Sequence, residues 1–557
     1  MKKLSGHIVD VRNQRIYDGI IEVENGIISK ITESMQVEDQ YILPGFIDAH
    51  VHIESSMLLP ENFALLASRH GTVGVVTDPH EIANVLGVPG VEFMIENSRK
   101  APFHFCFCAP SCVPSTDCET AGARINADDI AALMRNPDIY ALAEMMNFPG
   151  VLFDDPEVLR KIDASRAAGK PVDGHAPGLL GDGLQKYIST GISTDHECTT
   201  LEEAEARLKL GMKVLIREGS AAHDFEALSP LLQEHNGNLM FCSDDKHPDE
   251  LVDGHINLLV KRALKKGYPL WNVLRAACVT PVEHYGIPCG LLQAGDSADF
   301  IVVDNIADFN VLRTYIAGTE LPGNVDNAEL DKYYNGEISF PSEVGGEWPN
   351  NFHAKPISVE DLKVEPLSES MRVIVAANGS LLTGMEIVKP LVENGNVVSD
   401  IEHDVLKLVV YNRYTPAKPQ VAFIKGFGLK EGALGSTIAH DSHNIIAVGT
   451  SDEALVAVVN QLIEIHGGIS VCEFVEGKPV FKSLSLPVAG LISPCKGEEV
   501  AYQFDKIAAI SFRLGCEFEA PFMTLGFMAL PVIPTLKLTD LGLFDGEKFA
   551  FTELFVK

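Results

Sequence analysis

The sequence predicts an α/β protein built on a (β/α)8 barrel of the TIM type, with a small flanking β-domain and an additional C-terminal α+β domain. Short apolar β-type runs alternate with helix-compatible segments along the middle of the chain, a pattern typical of a parallel sheet. Two further β-rich segments stand before and after that region, and the pattern changes again from residue 351. We therefore expect a β-sandwich-like domain over 1–45 and 286–350, the barrel over 46–285 and the last domain over 351–557.

Length and charge restrict the class of protein and its partners. A chain of 557 residues is too long for one compact core. Its 44 basic and 77 acidic side chains give a formal charge of −33, which repels phosphate backbones and anionic lipid. We therefore expect a small-molecule substrate and neither nucleic acid nor a membrane as a partner. No apolar leader and no apolar run of bilayer length occurs, which predicts a cytoplasmic protein.

The predicted β-domain begins with a hairpin. Asn25 and Gly26 stand between two β-rich runs, and this dipeptide is a strong signal for a tight turn between antiparallel strands. The same β-rich character returns over 295–304. We expect the two segments to fold together, with the barrel inserted between them.

The predicted barrel consists of eight β-type runs, several of which end in a residue able to bind metal or carry a proton. The runs cover 42–52, 72–80, 103–109, 139–147, 171–175, 191–196, 212–218 and 239–245. In a (β/α)8 barrel the chemistry lies at the C-terminal ends of the strands, which is where these polar residues fall.

The last predicted domain mixes strand and loop pieces with one well-delimited helix. The run Thr450 to Glu453 reads as a capping box that opens a helix over 454–465, and Gly467 and Gly468 stop it.

The strongest local signal is the run PGFIDAHVH, which ends in His50 and His52. Alternation along a strand places both imidazoles on one side, so both can reach one ion at the barrel mouth. This run resembles the first-strand signature of the amidohydrolase superfamily. The resemblance implies further ligands at the ends of later strands, and the chain has them in order: Glu144, His175, His196 and Asp244.

The ligand set suits two divalent cations bridged by a carboxylate and a hydroxide, since it combines neutral imidazoles with two carboxylates. Many relatives place a carboxylated lysine on the fourth strand. Here that slot holds Glu144, to which we assign the bridge and a part in catalysis.

Proton transfer requires further groups. Asp244 can take the proton of the attacking water and pass it to the leaving group. Its neighbour Asp245 is the alternative, but adjacent strand residues face opposite ways, so we expect only Asp244 to point inward. His80 and Glu218, which end the second and seventh strands, are candidates for the remaining proton transfer. For the pair of Arg217 and Glu218, a structural ion pair and a substrate-binding role are about equally favoured.

Several longer motifs resemble those of the adenine deaminase family, and they extend over essentially the whole chain. They are His50 to Ser56, Asp78 to Asn84, Ala109 to Pro114, Asp173 to Gly178, Asp195 to Glu197, Arg217 to Ser220, Cys242 to Asp245 and His440 to Asn444. The resemblance implies hydrolytic deamination of adenine to hypoxanthine and ammonia by a metal-bridged hydroxide, as in purine salvage. It also implies manganese or iron, with zinc as a further option, and a homodimer or larger homo-oligomer.

The same resemblance suggests which side chains contact the substrate. Besides the ligands, the candidates for substrate binding are Glu81, Arg217, Glu218, Asp245, His440 and Asp441.

Three alternatives compete with this interpretation. Another amidohydrolase, acting on a cyclic amide or an N-acetyl substrate, would use similar metals, but the missing lysine bridge and the extra domain argue against the cyclic-amide branch. A non-catalytic scaffold is disfavoured because all the expected ligands are retained. The cytidine-deaminase design fails, because His52-Ile53-Glu54 has no matching Pro-Cys-x-x-Cys: Pro288-Cys289 and Pro494-Cys495 both lack the second cysteine.

Overall fold

The computed structural model of the protein describes residues 2–235, 237–321 and 346–556. The part of the predicted β-domain over 322–345 lies outside the described residues. The chain opens with four strands: β1 Lys2–Asp10, β2 Arg15–Glu24, β3 Ile27–Glu33 and β4 Tyr41–Pro44. Strands β2 and β3 are antiparallel, and the turn between them has Asn25 and Gly26 at positive φ, 51° and 80°. Asparagine and glycine tolerate this conformation, which explains the hairpin.

Eight parallel strands follow and form the barrel. They are β5 Phe46–Val51, β6 Thr72–Thr77, β7 His104–Ala109, β8 Ile139–Met145, β9 Val172–Gly174, β10 Thr194–Asp195, β11 Lys213–Arg217 and β12 Leu239–Cys242. Strands β5 to β9 form one parallel sheet and β10 to β12 another. Parallel bridges from Val172 to Ile192 and from Val51 to Asp244 join the two sheets at both edges, which closes the ring. The predicted (β/α)8 fold is confirmed.

Helices surround the barrel. They are α1 Pro60–Arg69, α2 His80–Leu86, α3 Val88–Ser98, α4 Ala127–Leu133, α5 Phe148–Leu152, α6 Pro156–Ala167, α7 Gly181–Ser189, α8 Leu201–Lys209, α9 Phe225–Leu228, α10 Pro248–Asp253, α11 Ile256–Lys265, α12 Leu270–Leu274 and α13 Thr280–Tyr285. Helix α11 shows why they pack on the sheet, because its buried residues recur at helical spacing: Ile256, Leu259, Val260 and Ala263.

The chain then returns to the first sheet. Strands β13 Phe300–Val303, β14 Val311–Ile316 and β15 Thr319–Leu321 complete a seven-stranded sheet in the order β15-β14-β13-β4-β1-β2-β3. Strand β13 pairs antiparallel with β4, so segments from before and after the barrel share one sheet. The predicted domain boundaries themselves stay a prediction.

The C-terminal region, residues 351–556, combines strands and helices. Its strands are β16 Met371–Ala377, β17 Ser380–Val388, β18 Val392–Glu393, β19 Asn396–Val397, β20 Leu406–Tyr411, β21 Gln420–Lys425, β22 Ala433–Ser436, β23 Ile445–Gly449, β24 Gly468–Val475, β25 Lys478–Ser485, β26 Leu536–Thr539, β27 Gly542–Asp545 and β28 Ala550–Phe551. Its helices are α14 Asp452–Glu464, α15 Gly497–Arg513 and α16 Pro521–Phe527. Eight of the strands form one sheet in the order β17-β16-β21-β20-β23-β22-β24-β25.

Helix α14 begins at a different residue from the one that the sequence predicts. The residue that caps it is Ser451, whose side chain accepts a hydrogen bond from the Ala454 amide, so the helix begins at Asp452. With Ser451 as the cap, the third helical position is Ala454 and no glutamate can reach back, so the predicted capping box is wrong although the helix is real.

The C-terminal region packs against the mouth of the barrel. Leu58 and Phe63, near the barrel mouth, belong to the same buried hydrophobic cluster as Val500, Ile507 and Phe522. Burial of this apolar surface holds the two parts together. Among the described residues, the helices are too short or too polar to cross a bilayer.

Candidate metal centre

The four predicted histidine ligands, His50, His52, His175 and His196, converge around Glu144 at the C-terminal ends of the barrel strands. Its Oε1 lies 3.2 Å from His52 Nε2. Its Oε2 lies 2.6 Å from His175 Nδ1 and 3.1 Å from His196 Nε2. Each carboxylate oxygen therefore faces a different imidazole group, which is the arrangement a bridging carboxylate needs.

Asp244 approaches two of the imidazoles, those of His50 and His52. Its Oδ1 lies 3.4 Å from His50 Nε2 and 3.1 Å from His52 Nε2. Burial opposes ionisation of both Asp244 and Glu144, but the facing histidines, with Arg217 in the case of Asp244, hold the pKa of each carboxyl well below its usual value. Both groups are thus kept as the anions that a cation requires.

The tautomer of His52 shows that the donors suit a metal. Its Nδ1 lies 3.0 Å from the Asp78 carbonyl oxygen, an acceptor that holds the proton on Nδ1. In the neutral form that binds a metal, the lone pair is on Nε2, which lies only 3.2 Å from His50 Nε2 and faces the two carboxylates. An imidazole oriented by a carbonyl at its other nitrogen is a typical metal ligand. The cluster can hold divalent metal, as the grouping of these side chains indicates.

Asp48, which sequence reasoning missed, holds two strand ends together beneath the cluster. It is fully buried on β5 and accepts hydrogen bonds from Ser243 Oγ at 2.5 Å and from His255 Nε2 at 2.8 Å. Asp48 lies two residues before His50, and Ser243 directly precedes Asp244. This contact between the first and last barrel strands brings the ligands of both into one place.

Asp244 and Asp245 do not follow the expected alternation. Asp244 has φ of 57°, in the left-handed region, so the chain leaves the extended conformation there. As a result Asp245 lines the same cavity, and its Oδ1 accepts a hydrogen bond of 2.5 Å from Ser55 Oγ. The expectation that only one of the two would point inward is wrong.

Arg217 forms ion pairs with three carboxylates. Its Nη1 contacts Glu197 and lies 3.0 Å from Asp244 Oδ2, while its Nε lies 2.9 Å from Asp224 Oδ2. This arrangement favours the interpretation of Arg217 as a structural ion-pair partner over a role in substrate binding. It also fixes Oδ2 of Asp244, the oxygen that does not face the histidines. The neighbouring Glu218 is not brought to the cluster, since its carboxylate pairs with Arg262 and accepts from the Phe225 amide.

The remaining predicted residues meet at the boundary with the C-terminal region. His80 Nδ1 lies 3.0 Å from Asp78 Oδ2 and 3.6 Å from Glu144 Oε1. Its Nε2 lies 3.8 Å from Asp441 Oδ1. Glu81 accepts hydrogen bonds from His440 and from His443, two histidines of the C-terminal region.

Most of the predicted site residues line one cavity of about 680 Å³, whereas His50 and Glu218 lie outside its lining. Its floor carries the metal cluster, and the C-terminal region forms the opposite wall, which we call the roof. The roof residues are Gly379, Ser380, Leu381, Leu382, His440, Asp441, Phe527, Leu530, Val532, Ile533 and Pro534. The volume suits a small molecule, and the apolar wall with few polar groups is typical of such sites.

Two further acidic side chains at the site were not predicted. Asp78 groups with His52, His80 and Glu144 as a possible ligand set, and Glu197 lies 3.8 Å from His175 and 3.6 Å from His196. Both stand beside predicted residues, Asp78 in the motif of His80 and Glu197 directly after His196. The positions of Asp78 and Glu197 at strand ends could have identified both as candidates from the sequence.

Comparisons with known proteins show which families the chain resembles. The model of the amidohydrolase family matches residues 41–321, and that of the adenine deaminase C-terminal domain matches residues 380–550. An adenine deaminase of Methanosarcina mazei is 49% identical over 568 residues and covers 100% of both chains. One of Salinibacter ruber is 49% identical over 555 residues and covers 99% of both. Among solved structures, an N-acetyl-D-glucosamine-6-phosphate deacetylase of Mycobacterium smegmatis aligns over 58% of this chain and all of its own, with 16% identity and a TM-score of 0.46.

Proposed function

The chain belongs to the adenine deaminase family of the amidohydrolases, and on that premise we propose that it hydrolyses adenine to hypoxanthine and ammonia. The observation that carries the proposal is the likeness to adenine deaminases over the full length of the chain, including the C-terminal region that forms the roof. The enzyme is thus a hydrolase acting on a carbon–nitrogen bond that is not part of a peptide.

We assign the metal site to the side chains that would hold two divalent cations, with Glu144 as the residue that would bridge them: His50, His52, Glu144, His175, His196 and Asp244. The mixed nitrogen and oxygen donors favour manganese or iron, with zinc as the alternative. Cations bound there supply Lewis acidity, which activates a water molecule at neutral pH.

Asp244 is the proposed proton carrier for the attacking water. Arg217 pairs with its Oδ2, whereas Oδ1 faces the histidines of the predicted ligand set, so Oδ1 is the oxygen that would take the proton of the water. Water adds its oxygen to C6, and one of its protons passes through Asp244 to the exocyclic amine, which leaves as ammonia as the C6–N bond breaks and the C6 carbonyl forms. The second proton of the water replaces the one that N1 receives.

The ring nitrogen N1 must gain a proton as C6 becomes tetrahedral. Of the groups predicted for proton transfer, His80 lies at the cavity, whereas Glu218 is paired with Arg262 outside the cavity lining. We therefore assign this transfer to His80 and withdraw it from Glu218. Contacts of the base with Asp245 and Asp441 are proposed on the same ground, since both line the cavity.

Turnover of adenine by metal-loaded protein tests the proposal. We expect loss of adenine absorbance with formation of hypoxanthine, and a fall in kcat of at least about a hundredfold in Asp244→Asn. Asp154→Asn, an exposed aspartate that pairs with Lys186, is the matched control and should behave as the natural chain.

Dihydroorotate and an N-acetylated amino sugar, run in parallel, test the other amidohydrolase activities. Turnover of either one, with none of adenine, would replace the proposed substrate. Location in the cytoplasm, a role in purine salvage and a homodimer or larger assembly stay predictions.

A further inference from the structure

We propose that Glu81 is a positioning residue, which fixes the loop over 439–444 of the C-terminal region and so places the roof of the cavity against the bound base. The inference rests on the proposed function and extends it, because it assigns to Glu81, which also lines the cavity, an effect on affinity that acts through the loop. It also changes the role expected for Glu81 from the sequence, which was direct contact with the substrate.

Both oxygens of Glu81 are already engaged. The residue lies in the first turn of α2, directly after the second barrel strand. Its Oε1 accepts from His440 Nδ1 at 2.6 Å, and its Oε2 accepts from His443 Nε2 at 2.5 Å. All three side chains are at least 97% buried, with exposures of 3% or less. One barrel carboxylate thus holds two histidines of the C-terminal region at once.

The position of His440 is passed on to the roof. Its ring stacks on Phe527, with centroids 4.4 Å apart and planes at 13°. Phe527 ends α16, which lies so close to the loop that a Cβ added at Gly526 would stand 2.5 Å from the Ile438 carbonyl oxygen. His440 and Phe527 both line the cavity, so the Glu81 anchor and the substrate-facing wall move together.

Other contacts hold the C-terminal region on the barrel independently of Glu81. The Thr120 amide donates to Asp540 Oδ1 at 2.8 Å, and Asn62 Nδ2 donates to the Cys495 carbonyl at 2.8 Å. Loss of the Glu81 anchor should therefore loosen the loop and leave the two parts docked. Asn62 lies outside the cavity lining, which makes Asn62→Ala a matched control for a lost contact between the two parts.

The test compares Glu81→Gln with Asn62→Ala in the full-length, metal-loaded protein. Glutamine keeps the shape of the side chain, but its amide nitrogen cannot accept, so one histidine loses its partner. In Glu81→Gln, we expect the amide hydrogens of 438–444 to exchange at least about tenfold faster than in the natural chain, because the segment opens locally. In Asn62→Ala, their exchange rates should not change. The KM of Glu81→Gln for adenine should rise about ten- to a hundredfold, the loss expected for one hydrogen bond to a charged group, with kcat changed less than about threefold.

Two results would overturn the proposal. Unchanged exchange of 438–444 in Glu81→Gln would show that the anchor does not hold the loop. A fall in kcat of a hundredfold or more at unchanged KM would make Glu81 a group that transfers a proton. Failure of the natural protein to turn over adenine would refute the proposed function instead, and the exchange comparison would still decide the anchor.

Discussion

Replacement of Arg207 by methionine should destabilise the barrel strongly, because it leaves a buried charge without its partner. Arg207 and Asp195 are both fully buried, and Arg207 Nε donates to Asp195 Oδ2 at 2.7 Å. The same guanidinium donates to the Ala176 carbonyl at 2.5 Å. Removing one member of a buried pair costs about 3–5 kcal/mol, and methionine keeps the volume of the stem, so we expect a loss in that range.

The effect should extend to the metal centre through the chain. Asp195 directly precedes His196, and Ala176 directly follows His175, so Arg207 supports two strand ends that carry ligands. We expect lower metal content in Arg207→Met after dialysis, and a Tm that falls more in the metal-loaded protein than in the metal-free protein.

A double-mutant cycle provides the decisive assay. In Arg207→Met with Asp195→Asn, the buried charge is gone, so about 2 kcal/mol of the loss should return. The free energy of unfolding is measured by urea denaturation followed by circular dichroism, and metal by mass spectrometry. A loss below about 1 kcal/mol in the single variant would refute the reasoning, as would a double variant no more stable than Arg207→Met.

Three further changes test other parts of the structure. In Glu144→Gln a neutral amide replaces the proposed bridge, so metal affinity measured by competition with a chelator should fall at least about a hundredfold; unchanged affinity would remove Glu144 from the ligand set. In Gly174→Ala the new Cβ would stand 2.3 Å from the Thr194 carbonyl oxygen, so we expect a loss of about 1–3 kcal/mol in urea, and a neutral result would contradict the tight approach of these strands. Burial and the nearby His255 lower the pKa of His70 to about 4. Between about pH 7 and about pH 4 the unfolded chain therefore binds a proton at His70 that the folded chain does not bind, and the free energy of unfolding should fall as the pH drops through that range. In His70→Asn, the loss of unfolding free energy between about pH 7 and about pH 4 should be smaller by about 3 kcal/mol, as measured by urea denaturation at both pH values. The same loss as in the natural chain would contradict the lowered pKa of His70.

Much of the barrel and its ligands could be predicted because the signals are local. Side chains alternate along a strand, so His50 and His52 must share a side wherever the strand lies. The strands of a (β/α)8 barrel all end at one face, so polar residues after apolar runs meet there. The positions of Glu144, His175 and His196 followed from these two rules and the family resemblance.

Other features were decided by tertiary structure, because they depend on contacts between distant residues or on a local break in regularity. Asp244 takes a left-handed conformation, which turned Asp245 into the cavity against the alternation rule. Glu218 pairs with Arg262, which lies 44 residues away in the sequence, and its side chain is therefore held outside the site. Glu81 pairs with His440, which lies 359 residues later in the sequence, and this contact places a loop of the C-terminal region at the cavity. Local pattern determines which way a side chain points from its own strand, whereas the partner it meets depends on how separate elements pack around one core.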